Sequence, residues 1–166
     1  MSAYASFFFA GGVGVVEIEL VEISHPSFSE TYYLCRNMVQ GVTVILEDGV
    51  TSQYFEFYPL KITPTGADTD LDQTMEISFG DLGEIIPQEL DRVQIAGTFS
   101  TKPVVIYRTY RSDVLTAPMQ GPVVFQCQTI SHIKEGATLN ITAPKLNSLK
   151  TGEPYNLDRF TALRSI

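Results

Sequence analysis

Apolar and polar residues alternate over residues 15–23, with Val16, Ile18 and Leu20 on one side of an extended chain and Glu17 and Glu19 on the other. The alternation changes phase at Leu20-Val21, which predicts a bulge there. Pro26 offers no N–H to a ladder, so Ser24-His25-Pro26-Ser27 is read as a corner before a second strand over 31–36. Residues 42–46 and 50–58 flank Glu47-Asp48-Gly49, an Asp-Gly hairpin signal. Pro59 and Pro64 bracket a short segment at 60–63, an acidic loop spans 65–72, and Met75, Ile77 and Phe79 share one face of a strand at 74–79.

A change of period marks the one helix. Leu82, Ile85, Ile86, Leu90 and Val93 recur at helical spacing over 81–96, Asp81 and Glu84 form a capping-box pair, and Gly97 suits the exit. Pro87 would break an interior hydrogen bond, so a turn to Ile86 followed by a helix begun at Pro87 is the expected form. Strand patterns return at 104–110, 123–130 and 138–142, with 117–122 as a link. Eight or nine short strands and one helix predict a mainly β domain, a β-sandwich or barrel with one flanking α-helix. The division is an N-terminal arm at 1–14, the β domain at 15–143 and a C-terminal extension at 144–166.

Composition narrows the function. With 166 residues, 44% hydrophobic and 18% charged, the chain can bury a core as one domain. A formal net charge of −8 argues against a surface that grips nucleic acid, because phosphate binding needs clustered Lys and Arg. An acidic wall repels phosphates and lets DNA pass. Cys35 and Cys127 sit in apolar strand patterns and are expected to be free thiols. No cationic leader precedes the apolar run 7–16, so the chain is expected to start near Met1 and fold in a reducing compartment, with no membrane binding. The Asn140-Ile141-Thr142 glycosylation pattern is then not expected to be used.

Candidate chemistry is sparse. Gly11-Gly12-Val13-Gly14 lacks the Lys-Ser/Thr pair and following helix of a phosphate loop. Asp68, Asp70 and Asp72 alternate as in a calcium loop but lack its glycine and distal glutamate, so a solvated loop is the expectation. His25, Cys35, Cys127 and His132 have zinc-ligand chemistry without the short Cys-x-x-Cys spacing. No nucleophile motif is present and neither histidine has an acidic residue at a telling spacing. The chain is therefore expected not to be an enzyme, with no catalytic, cofactor or metal residues. Three adjacent aromatics, Phe7, Phe8 and Phe9, would be awkward on a monomer's surface and point to a subunit interface.

Glu22-Ile23-Ser24-His25-Pro26-Ser27-Phe28-Ser29, with the strand at 31–36, resembles the opening of a family of small phage tail proteins, described mostly as a domain of unknown function. The likeness continues more loosely through Pro59, the 74–79 strand and the element after it. The C-terminal Phe160-Thr161-Ala162-Leu163 departs from the Pro-Gly-rich apolar ending of that family. The resemblance implies a minor tail, tail-tip or baseplate protein of long-tailed phages, with a fold of the tail-tube type whose subunits join sheets around a ring. It implies a virion location, assembly in the host bacterial cytoplasm, and tape-measure, tail-tube and other tail-tip proteins as partners. DNA would pass through the lumen unbound. One barrel per chain favours a hexamer, with a trimer as the alternative. On this reading Phe7, Phe8, Phe9, Asp48, Gly49, Phe160 and Leu163 are candidate interface residues. The alternative function is a host-surface or carbohydrate-binding β-sandwich module, since a Tyr-rich sandwich also serves that purpose.

Overall fold

The computed structural model describes residues 14–64, 74–80, 85–98, 100–133 and 136–143. Phe7, Phe8, Phe9, Phe160 and Leu163, the acidic loop and the Asp81/Glu84 pair lie outside them. Among the described residues are nine strands and one helix: β1 (Glu17–Ser24), β2 (Tyr32–Cys35), β3 (Val42–Ile45), β4 (Ser52–Phe57), β5 (Leu60–Pro64), β6 (Thr74–Gly80), α1 (Ile85–Ala96), β7 (Val104–Arg111), β8 (Gln120–Ile133) and β9 (Gly136–Thr142). The protein is mainly β with one helix, as the pattern predicts.

All nine strands belong to one mixed sheet, ordered β3-β4-β2-β1-β7-β8-β9-β6-β5. Only β2 and β4 run parallel. The sheet curls strongly. β4 and β5 stand second from one edge and at the other edge, yet only Tyr58 and Pro59 join them in the chain. Tyr58 N–H donates to the Cys35 carbonyl (2.8 Å) and Gly80 N–H to the Pro59 carbonyl (3.1 Å), so this link ties the two halves.

The expected bulge at Leu20-Val21 is absent. β1 pairs without interruption to β2 and to β7, from Glu17↔Arg111 to Ser24↔Val104. The phase change reflects burial on both faces instead. Ile18 and Leu20 enter a cluster with Cys35, Val42, Val44, Phe55 and Tyr110. Val21 and Ile23 enter the larger cluster, with Leu34, Ile77, Phe79, Phe125 and Ile141. Adjacent apolar residues in a central strand thus serve opposite faces.

The bulges lie in β8, which is longer than its pattern predicts and begins inside the expected link. Gly121 and Pro122 together oppose Arg108 where the β7–β8 register shifts, so the missing proline N–H falls where the ladder is already broken. Gly121 has φ +98°, and a Cβ there would lie 2.7 Å from the Tyr107 carbonyl oxygen. Gln128 is the extra residue of the second bulge, between Cys127↔Ile141 and Thr129↔Asn140. There β8 passes beyond β7, and its further neighbours β9, β6 and β5 give Leu139, Ile141, Ile77, Phe79 and Leu60 to the larger cluster.

The helix starts at Ile85, so Pro87 sits in its first turn and does not begin it. That turn has no N–H bonds to lose. The exit follows the expectation: Gly97 has φ +67°, its N–H donates to Gln94 (3.1 Å) and Thr98 N–H reaches back to Val93 (3.2 Å).

Candidate functional site

Three places concentrate polar side chains. At the first, the His25-Pro26 corner meets the helix. His25 is buried, and both ring nitrogens are engaged. Ser27 N–H donates to Nδ1 (3.1 Å), which leaves Nε2 to donate to the Thr101 carbonyl (3.0 Å). The imidazole is therefore held as the neutral Nε2–H tautomer. Phe28 packs against it at 5.2 Å between ring centroids. The Ser27 and Thr98 hydroxyls bond at 2.7 Å.

Glu89 completes this joint. It is 5% exposed, and its carboxylate accepts from Ser29 N–H (2.8 Å), the Ser29 hydroxyl (2.5 Å) and the Tyr32 hydroxyl (3.0 Å). Burial alone would raise its pKa, but the hydrogen bonds from Ser29 and Tyr32, with Arg92 nearby, outweigh burial and lower it. Below the carboxylate, Ile23, Phe28, Leu34, Val105 and Leu139 line a cavity of about 40 Å³. The corner is thus the seat to which α1 is tied through Glu89.

The second place ties the β3–β4 hairpin to the sheet. Arg108, 3% exposed, donates from Nε and Nη2 to Glu47 (3.0 and 3.1 Å) and from Nη1 to Glu22 (2.7 Å). Burial would lower the guanidinium pKa, but bonds to the two carboxylates raise it; bonding to Arg108 in turn lowers that of Glu47. Beyond Glu47 lie the exposed Asp48 and Gly49. Asp48 accepts from Val50 N–H (3.0 Å), Thr51 N–H (2.9 Å) and the Thr51 hydroxyl, and Gly49 has φ +70°. The turn is wider than a two-residue hairpin, running from Leu46 to Thr51.

The third place is the opposite end, where β1 begins. Val16, Glu17, Glu19, Arg36 and Asn37 line an open pocket of about 420 Å³. Glu19 pairs with Arg36 and accepts from the Tyr107 hydroxyl (3.1 Å). Burial, then Glu19, push the Tyr107 pKa upward. The Thr109 hydroxyl, fully buried opposite Glu19, has no partner among the described residues.

Of the candidate interface residues, Asp48 and Gly49 are placed on an exposed turn and the other five lie outside the described residues. Of the residues with zinc-ligand chemistry, His25, Cys35 and Cys127 do not gather. Cys35 and Cys127 are buried free thiols in separate apolar clusters, and both His25 nitrogens are committed. No cluster able to hold a metal occurs among the described residues. Burial raises the pKa of both thiols, that of Cys127 to about 11. Among the described residues, no helix is long and apolar enough to cross a membrane.

Glu89 and Arg108 were not singled out by the pattern, though each leaves a trace. Glu89 is a carboxylate on the helical stripe, four residues before Val93. Arg108 is a lone cation inside the strand VVIYRTYR. A family model whose description is Domain of unknown function (DUF1833) matches residues 5–150. No curated protein matches the chain.

Proposed function

The chain belongs to the DUF1833 family, and from that premise we propose that it is a structural component of a phage tail tip or baseplate. It forms a ring around the tail channel, joining the tail tube to the distal hub or fibres. One observation carries this reading: the Ser24–Ser29 motif, on which the likeness to phage tail proteins rests, has an architectural use. Its histidine is spent on backbone groups, and Ser29 anchors the helix through Glu89. A motif built to hold a helix on a sheet suits an assembly subunit better than an enzyme.

The further details follow from the same resemblance. A curled sheet with one helix suits the tail-tube type, with a hexamer favoured over a trimer. Tail-tube, tape-measure and other tail-tip proteins are the partners, and DNA passes the acidic wall unbound. Assembly takes place in the host cytoplasm and the finished protein resides at the tail tip. Ring contacts fall to Phe7–Phe9, the Asp48-Gly49 turn, Phe160 and Leu163. Imaging of virions tests this: a sixfold or threefold ring of this chain around the tail axis is expected. Recovery of the chain only from infected-cell lysate, never from virions, would refute it.

A further inference from the structure

The cavity beside Glu89 has a buried floor on the sheet and a mouth. Among the described residues the mouth is formed by Phe28, Tyr32, Tyr58, Pro103 and Ile130, all half-buried. The walls are apolar, and the volume of about 40 Å³ has room for on the order of three water-sized spheres. Water gains little from such walls, because a buried water needs several polar partners. The end of a branched aliphatic side chain matches both the size and the chemistry.

The domain displays one such side chain. Ile95, in the last turn of α1, is 87% exposed, more than any other large apolar residue described. A lone exposed aliphatic group is ordinary. Here, however, helix geometry keeps it from its own cavity. Glu89 lines that cavity, and Ile95 stands six residues on, about 9 Å along the axis and about 120° around it. We propose that Ile95 of one copy of the chain seats in this cavity of a second copy.

The flanking charges fit the same contact. Asp91 and Arg92 are exposed one turn before Ile95 on the same side of the helix, and Arg92 stays 59% exposed although it lies 3.7 Å from Glu89. The mouth likewise carries one charge of each sign. Glu30 is exposed next to Ser29, the partner of Glu89, and Lys102 is exposed next to Pro103. Arg92 of one copy then meets Glu30 of the next while Asp91 meets Lys102; such rim pairs fix orientation more than affinity. Two copies that exchange side chains about a twofold axis close as a dimer, and a head-to-tail repeat of the same contact closes as a ring. The contact rests on the cavity and on Ile95, and does not depend on the tail-tip reading.

Sedimentation of the full-length protein across the micromolar range is expected to show self-association. Ile95→Glu, a change at an exposed helix position, should weaken it at least tenfold. Ile130→Trp, which blocks the mouth, should do the same while the far-UV circular dichroism keeps its wild-type form. To locate the contact, a chain carrying Ile95→Cys is mixed with one carrying Ile130→Cys and oxidised with diamide; the native thiols are buried and stay out of reach. A disulfide joining position 95 of one chain to position 130 of the other, identified by peptide mass spectrometry, is expected. A monomer throughout that range, association unchanged in Ile95→Glu, or disulfides only between like chains would each overturn the proposal. Association that persists in Ile95→Glu would leave the ring reading standing, so the two fail separately.

Discussion

Removing the Glu89 carboxylate should release the helix from the His25 corner. Three donors converge on it, at 2.8, 2.5 and 3.0 Å. Hydrogen bonds to charged groups contribute about 1.5–3 kcal/mol each, but their effects are not additive. Ser29 is exposed and regains water when its acceptor is lost. Glu89→Ala is therefore expected to cost about 2–4 kcal/mol. Glu89→Gln, which points an amide donor at one of the same donors, should cost about 1–2 kcal/mol. In a domain of this size the Ala variant should melt roughly 4–16 °C lower, at about 2–4 °C per kcal/mol.

The acid limb gives an independent check. The folded Glu89 pKa is lowered from its ordinary 4.5, so its stabilisation is complete above the unfolded value and is lost as pH falls through the folded one. Wild type should lose more stability below pH ~4.5 than Glu89→Gln, in urea melts taken from pH 7 to pH 3. A cycle with Ser29→Ala should give a coupling of at least ~1 kcal/mol. Variants within about 0.5 kcal/mol of wild type, with parallel acid limbs, would refute the joint.

Other substitutions probe the remaining features. Arg108→Met strands Glu22 and Glu47; because Glu47 is 37% exposed, the expected loss is about 2–4 kcal/mol, somewhat below that of a fully buried pair, read by chemical denaturation. Gly121→Ala forces a side chain to φ +98° with a carbonyl 2.7 Å away, and should destabilise by more than ~1 kcal/mol. Cys127, with its thiol pushed up to about 11, should resist iodoacetamide at pH 8 in the folded protein and react once unfolded, as followed by mass spectrometry.

Much of the fold was legible in the chain because each strand carries its own period and each break its own Pro or Gly. The β3–β4 hairpin was marked by Asp48-Gly49, and the helix exit by Gly97. What failed was local reasoning about effects set by distant strands. The Leu20-Val21 phase change cannot be told from a bulge until β2 and β7 are known to flank β1 and apolar groups to cover both its faces. Gly121-Pro122 looks like a link, yet it is a bulge inside β8 because Arg108 stands opposite. Glu89 breaks the apolar stripe, and only the Ser29 and Tyr32 donors, some sixty residues earlier, show why a carboxylate belongs there. The His25 corner was visible as a turn, but its use as a helix seat was not.

The central β1–β7 pairing has a consequence for synthesis. Ser24 and Val104, its first partner to be made, lie eighty positions apart in the chain. At about 5–20 residues per second, one edge of β1 waits on the order of 4–16 s for its partner on the ribosome. A bare strand carrying Ile18, Leu20, Val21 and Ile23 is a template for wrong pairing, and Glu17, Glu19 and Glu22 interrupt that run with charge. The glutamates that later meet Arg36 and Arg108 would first serve as guards against aggregation. Ribosome-bound chains stalled before residue 104 should therefore aggregate more when Glu17 and Glu19 are changed to Gln; equal solubility would dismiss the idea.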